Sequence, residues 1–117
     1  MSRLYRARRE LRRLLELHPQ EPALAFALGN YLASQQRWPE AQQAYFDALQ
    51  MARASDTETV NPDYAFNLAV SLEHLNQSAA ALGFYRQARE LALSHPAGFD
   101  LVELNNKLSA LETGVAQ

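Results

Sequence analysis

The sequence predicts an all-α fold in which helical hairpins stack into a short right-handed superhelix. Two observations carry that prediction. One stretch occurs twice: residues 22–53 and 62–93 align at an offset of 40 without a gap. The two copies share Pro22/Pro62, Ala25/Ala65, Phe26/Phe66, Leu28/Leu68, Leu32/Leu72, Ala41/Ala81, Tyr45/Tyr85, Ala48/Ala88 and Ala52/Ala92. In addition, apolar residues recur at spacings of three and four throughout and nowhere alternate with period two, so helices are expected and strands are not. A repeat of this size sets the architecture before any local motif is read. Each unit is too small to bury its own apolar face, and a stacked neighbour supplies the cover.

The first helix is expected over residues 3–18. Leu4, Ala7, Leu11, Leu14 and Leu15 form one apolar stripe, and arginines fill the other faces. His18-Pro19 ends it, because the residue before proline is pushed out of the α region. Pro22 suits the first turn of the next helix, 22–35, which carries Leu24, Ala25, Leu28, Gly29 and Leu32. A glycine inside a helix costs about 1 kcal/mol against alanine, so Gly29 implies a close neighbour. Gln36-Arg37 is the turn, and Pro39 opens a helix that buries Ala41, Ala44, Tyr45, Ala48, Leu49 and Ala52.

Residues 55–61 are polar, lack a helical stripe and read as an exposed, mobile loop. Asn61 is placed to cap the helix that opens at Pro62. Helix 62–75 repeats the first pattern with Leu68, Ala69 and Leu72 inward. Asn76-Gln77 turns the chain, asparagine being tolerant of a left-handed conformation. Ser78 is the expected cap of helix 79–94, which buries Ala81, Leu82, Tyr85, Ala88 and Leu91, and His95-Pro96 stops it. A last helix over about 99–113 has Leu101, Leu104, Leu108 and Leu111 on one stripe, and Thr113-Gly114 ends it.

At 117 residues the chain reads as a single domain, 1–117. Its 48% hydrophobic content is enough for a core and speaks against wholesale disorder. There are no cysteines, so disulfides and thiolate metal sites are excluded. No apolar run approaches the roughly 18–20 residues that span a bilayer, and no leader pattern opens the chain, so the sequence as given reads as soluble with its compartment unassigned. Charge is uneven. Arg3, Arg6, Arg8, Arg9, Arg12 and Arg13 stand against Glu10 alone, which leaves that segment at about +5 in a chain of net charge −2.

Paired helices with a small residue in the first (Gly29, Ala69) and alanines in the second (Ala41 and Ala48; Ala81 and Ala88) resemble the tetratricopeptide repeat. Tyr45 and Tyr85 match its large aromatic position, and Trp38 sits where an aromatic is usual. The resemblance covers nearly the whole chain: 3–18 as a half-repeat helix, 22–53 and 62–94 as full repeats, and 99–113 as a capping helix. It departs in three ways. The period of 40 exceeds the family's roughly 34, which implies about six inserted residues near 55–61. Gln36 and Asn76 replace the usual turn glycine, and Arg53 and Leu93 replace the usual terminal proline.

The resemblance implies a non-enzymatic scaffold that recognises a peptide or helix of a partner protein on its concave surface. The candidate groove residues are Phe26, Asn30, Ala33 and Ser34 in the first unit and Phe66, Asn67, Val70, Glu73 and His74 in the second. Val102, Asn106 and Ser109 follow on the last helix. Phenylalanines would supply area and asparagines would bond a peptide backbone. The alternative for Phe26 and Phe66 is packing between adjacent repeats. Some members of the family clamp a terminal carboxylate with lysine and arginine. Here Phe26 and Phe66 occupy the usual lysine position, so no such clamp is expected. The general character of the chain is similar to repeat domains of bacterial envelope-assembly proteins, such as those of pilus biogenesis.

No HExxH, P-loop, GxGxxG or GxSxG motif is present, so no enzyme, cofactor or metal is expected. Glu73 and His74 point in different directions from one helix, which argues against a shared metal. Arg6, Arg9 and Arg13 share a face of the first helix. This face reads first as solvated surface, then as a contact for an acidic protein, and last as one for lipid or nucleic acid. A second reading of the whole chain is an oligomerisation module, or a piece of a longer array, stacking through its end helices.

Overall fold

The computed structural model describes residues 3–55 and 60–116, and these form six helices and no strand. They are α1 (Arg3–Leu17), α2 (Pro22–Ser34), α3 (Trp38–Ala54), α4 (Pro62–His74), α5 (Ser78–Leu91) and α6 (Leu101–Ala116). α2 with α3 and α4 with α5 make the two hairpins. Side chains then join alternate helices into two layers. Phe26 of α2 meets Tyr64 of α4, and Glu73 of α4 meets Lys107 of α6. In the other layer Arg8 of α1 reaches Glu40 of α3, and Arg53 of α3 bonds Gln87 of α5. The result is an all-α, tetratricopeptide-like stack measuring 45 × 33 × 20 Å.

Helix starts and stops follow local chemistry. Pro22, Pro39 and Pro62 all stand in first turns, where no amide hydrogen is missed. The Asn61 side chain accepts a hydrogen bond from the Asp63 amide at 2.9 Å, as a cap should. Both hairpin turns are left-handed at one residue, Gln36 at φ 58° and Asn76 at φ 61°. Around Gln36 its own amide donates to the Ala33 carbonyl, and the Arg37 amide donates to Leu32. The same pair of bonds recurs from Asn76 to Glu73 and from Gln77 to Leu72. Each is the double closure that satisfies a helix's last carbonyls.

The core runs unbroken through both hairpins. Ala41, Ala48, Ala65, Leu68, Ala69, Ala81, Tyr85, Ala88 and Leu104 are fully buried, and Leu32, Tyr45 and Leu108 nearly so. Gly29 is explained by a ring. A Cβ there would stand 2.6 Å from Cδ1 and Cε1 of Tyr45. Among the described residues Ser71 is the buried polar one, and it is satisfied by donating to the Asn67 carbonyl at 3.1 Å.

Several boundaries and faces differ from expectation. Ser78 is the first residue of α5 and does not cap it; the cap position falls on Gln77. α5 ends at Leu91, short of residue 94, because the Leu93 and Ser94 amides tighten onto Glu90 and Leu91 three residues back. Leu91 is half-buried, and Leu93 is exposed. α6 begins at Leu101, where the Asp100 carboxylate caps the Val102 amide at 2.8 Å. It passes through Thr113 and Gly114 to Ala116, with the Thr113 hydroxyl donating to the Ser109 carbonyl within the helix. Leu101 is 45% exposed while Leu104 and Leu108 carry the packing.

Ala7 is exposed because α1, as an end helix, packs chiefly on α2 through the half-buried Leu11, Leu14 and Leu15. Leu4 lies outside the described side chains. In the segment expected to be an exposed loop, 56–59 lie outside the described residues, while Val60 and Asn61 are half-buried.

Candidate functional site

α4 presents one face to α6, made of Asp63, Phe66, Asn67, Val70, Glu73 and His74, which recur with the helical period. Two adjoining crevices lie along this face. The first, about 490 Å³, is formed by Asp63, Phe66 and Asn67 opposite Gly98, Phe99, Asp100 and Glu103. The second, about 310 Å³, is formed by Val70, Glu73 and His74 opposite Lys107. The sequence-predicted set of the second repeat (Phe66, Asn67, Val70, Glu73 and His74) is therefore brought together in one groove.

The aromatic floor is built by the repeat itself. Phe26 packs on Tyr45 of its own hairpin at 5.6 Å and on Tyr64 of the next at 4.9 Å. Phe66 packs edge-on against Tyr85 at 5.5 Å and stacks on Phe99 at 4.5 Å. Both phenylalanines thus lie between successive units, as the packing alternative has it. Both are also only half-buried, and Phe66 keeps an edge in the groove. Phe99, ahead of α6, is a groove residue that the repeat pattern does not reach, because it belongs to a segment with no counterpart in the first unit.

Polar contacts hold the walls. The Asp63 carboxylate accepts from the Gly98 amide at 2.8 Å, which ties the segment before α6 to the start of α4. The Asn67 amide nitrogen donates to the Asp63 carbonyl at 2.9 Å. Glu73 receives the Tyr85 hydroxyl and lies 3.6 Å from Lys107, whose ammonium sits 5.8 Å above the Tyr85 ring. Burial raises the Tyr85 ionisation above the ordinary tyrosine range, and the Glu73 hydrogen bond and charge push it the same way. Burial does the same for Tyr64, helped by the charges of Glu21 and Asp63. His74, in the same crevice, also stacks flat on Trp38 of α3, with ring centroids 3.8 Å apart.

The first-unit candidates are arranged differently. Asn30 is exposed and accepts the Tyr45 hydroxyl at 2.7 Å. Ala33 is half-buried, and the Ser34 hydroxyl donates to the Tyr31 carbonyl within its own helix. On α6, Val102 is 69% exposed, and Asn106 and Ser109 are exposed beyond the groove wall. On α1, Arg9 and Arg13 line a third crevice with Arg8 and Arg12, and Arg6 is not among its walls. Among the described residues no three histidine, aspartate or glutamate side chains gather closely enough to hold a metal ion. None of the described helices is long and apolar enough to cross a membrane.

This architecture defines a tetratricopeptide-like stack of helical hairpins with an inter-repeat groove. No family model and no curated protein matches the sequence. Solved structures share the fold. The type III secretion translocator chaperone SycD of Yersinia enterocolitica superposes with a TM-score of 0.81 at 18% identity, over 97% of this chain and 75% of that one. A chain of a T3SS complex from Aeromonas hydrophila gives 0.80 at 20% identity, over 97% and 73%.

Proposed function

We propose that the protein is a non-enzymatic scaffold that holds an extended or helical segment of a partner protein along the α4/α6 groove. The observation behind this reading is the continuity of one α4 face, from Asp63 to His74, along two adjoining crevices. Phe66, Phe99 and Val70 offer apolar contact. Asn67 and the flanking carboxylates offer hydrogen bonds at the margin, the usual division between anchor and rim. Phe26, Asn30, Ala33 and Ser34 extend the surface onto α2. Likeness to a translocator chaperone supports a client that is itself exported, which favours a secretion system over pilus assembly as the setting. The groove is short, so affinity is expected to be modest.

Photo-crosslinking tests the reading. A crosslinking residue at Asn67 or Val70 should trap the partner in the native cell. The same residue at Gly83, an exposed site where an added Cβ meets nothing within 4 Å, should not. Equal trapping from Gly83 would sink the groove as the binding surface.

A further inference from the structure

The opposite layer carries a second surface that the groove does not use. Ten of the chain's eleven basic residues are arginine, and six of them lie in α1 against Glu10 and Glu16. Tyr5, Arg8, Arg9, Arg12, Arg13 and Glu16 line a crevice of about 510 Å³ along three turns of that helix. Internal pairing leaves its charge largely uncompensated. Arg8 and Arg12 stand 3.7 and 3.9 Å from Glu40, which already holds Arg37 at 2.7 Å. Three guanidiniums thus share one carboxylate. Arg13 is paired with Glu10 at 2.7 Å, also on the surface. Exposed pairs of this kind bind weakly and exchange readily for another carboxylate.

We infer that this stripe is a docking surface for an acidic helical segment of another protein. Arginine rather than lysine is the residue that grips carboxylates in two-point geometry. Arg8 with Arg12, and Arg9 with Arg13, repeat at four residues, so they match glutamates spaced one turn apart on a facing helix. The ends of the stripe give it direction. Tyr5, 49% exposed, offers an apolar contact at one end, and Glu16 calls for a basic residue at the other. Glu10 and Glu16 would repel a polyphosphate backbone, which disfavours nucleic acid. A two-fold pairing of two copies through this face would bring two strongly basic patches together, because such an interface uses the same patch on both subunits.

The test uses the full chain and a fluorescein-labelled helical peptide of about three turns, with glutamates one turn apart, a leucine at one end and a lysine at the other. Binding is expected near about 50 mM salt, with at least a tenfold loss by about 300 mM, as screening of exposed charges requires. Arg9→Glu with Arg13→Glu should weaken it by at least roughly tenfold, while Phe66→Leu leaves it unchanged. Arg9→Gln with Arg13→Gln, with circular dichroism on each variant, guards against misfolding and should also weaken binding. Peptide binding indifferent to these arginines overturns the inference. So does tighter binding to a duplex DNA or to phosphatidylserine vesicles at the same salt. Concentration-dependent self-association that the charge reversals abolish would overturn it too, by assigning the stripe to a second copy.

Discussion

Replacing Gly29 with alanine tests how the hairpins are assembled. The new methyl would stand 2.6 Å from two carbons of the Tyr45 ring, where ordinary carbon contact needs about 3.5–4.0 Å, so a gap of about 1 Å must open. The ring has little room to move. It is 2% exposed, packed on Phe26, and its hydroxyl is bonded to Asn30. Overpacking of this kind costs about 1–3 kcal/mol, and losing the hydroxyl bond costs about 0.5–1.5 kcal/mol more. Alanine returns about 1 kcal/mol through helix propensity. The net expectation is a loss of about 1–3 kcal/mol, or a fall in Tm of roughly 5–15 °C for a chain of this length.

The second repeat carries an alanine at this place together with a different partner for its tyrosine hydroxyl. Ala69 stands in Gly29's place, and there the tyrosine hydroxyl goes to Glu73 instead. Glu73 is the counterpart of Ala33, and Val70 of Asn30. Adding Ala33→Glu to Gly29→Ala should therefore recover part of the loss by giving Tyr45 the partner that Tyr85 has. Thermal and urea melts followed by circular dichroism measure both. A Gly29→Ala protein as stable as the parent would refute the packing argument. A double variant no better than the single would refute the account of the two tyrosines.

Three further outcomes are expected. Gln36→Gly removes a side chain from a left-handed turn position, where L residues pay roughly 1–2 kcal/mol. After the added freedom of glycine in the unfolded chain, it should stabilise by about 0.5–1 kcal/mol, read as a higher urea midpoint. Ala81→Leu places a larger side chain at a fully buried site and should lower stability by about 1–3 kcal/mol in the same melt. Alkali should loosen the fold: burial raises Tyr45 from 10.0 to about 12, so the neutral phenol is the form the fold favours. That contribution is complete below about pH 10 and is lost as pH rises through about 12, with Tyr85 and Tyr64 displaced the same way. Tm should hold to about pH 10 and then fall, more gently in Tyr45→Phe.

The packing positions were legible because packing between paired helices is periodic. Ala41, Tyr45 and Ala48 and their copies read correctly from spacing alone. What spacing could not supply is how one unit meets the next. The Phe66–Phe99 stack, the Lys107–Glu73 pair and the Trp38–His74 stack all join segments far apart in sequence, and each has at least one partner without an equivalent in the other repeat. The same limit explains the phenylalanines. Their spacing placed them on the exposed side of the first helix of each hairpin, and only the neighbouring unit shows that this side is half covered. The early end of α5 was hidden because Ala92 and Leu93 are good helix formers, and backbone tightening stops the helix there.

The Trp38–His74 stack has a practical consequence. Trp38 is the chain's single tryptophan, and it leans on a histidine of the following hairpin. Indole emission depends on what packs against the ring, so the fluorescence of the intact protein reports the seam between the two hairpins. His74→Leu removes the stacked ring and should shift the Trp38 emission. If a bound segment pries the hairpins apart, the signal changes without any label. The molecule carries its own gauge of the joint between its two hairpins.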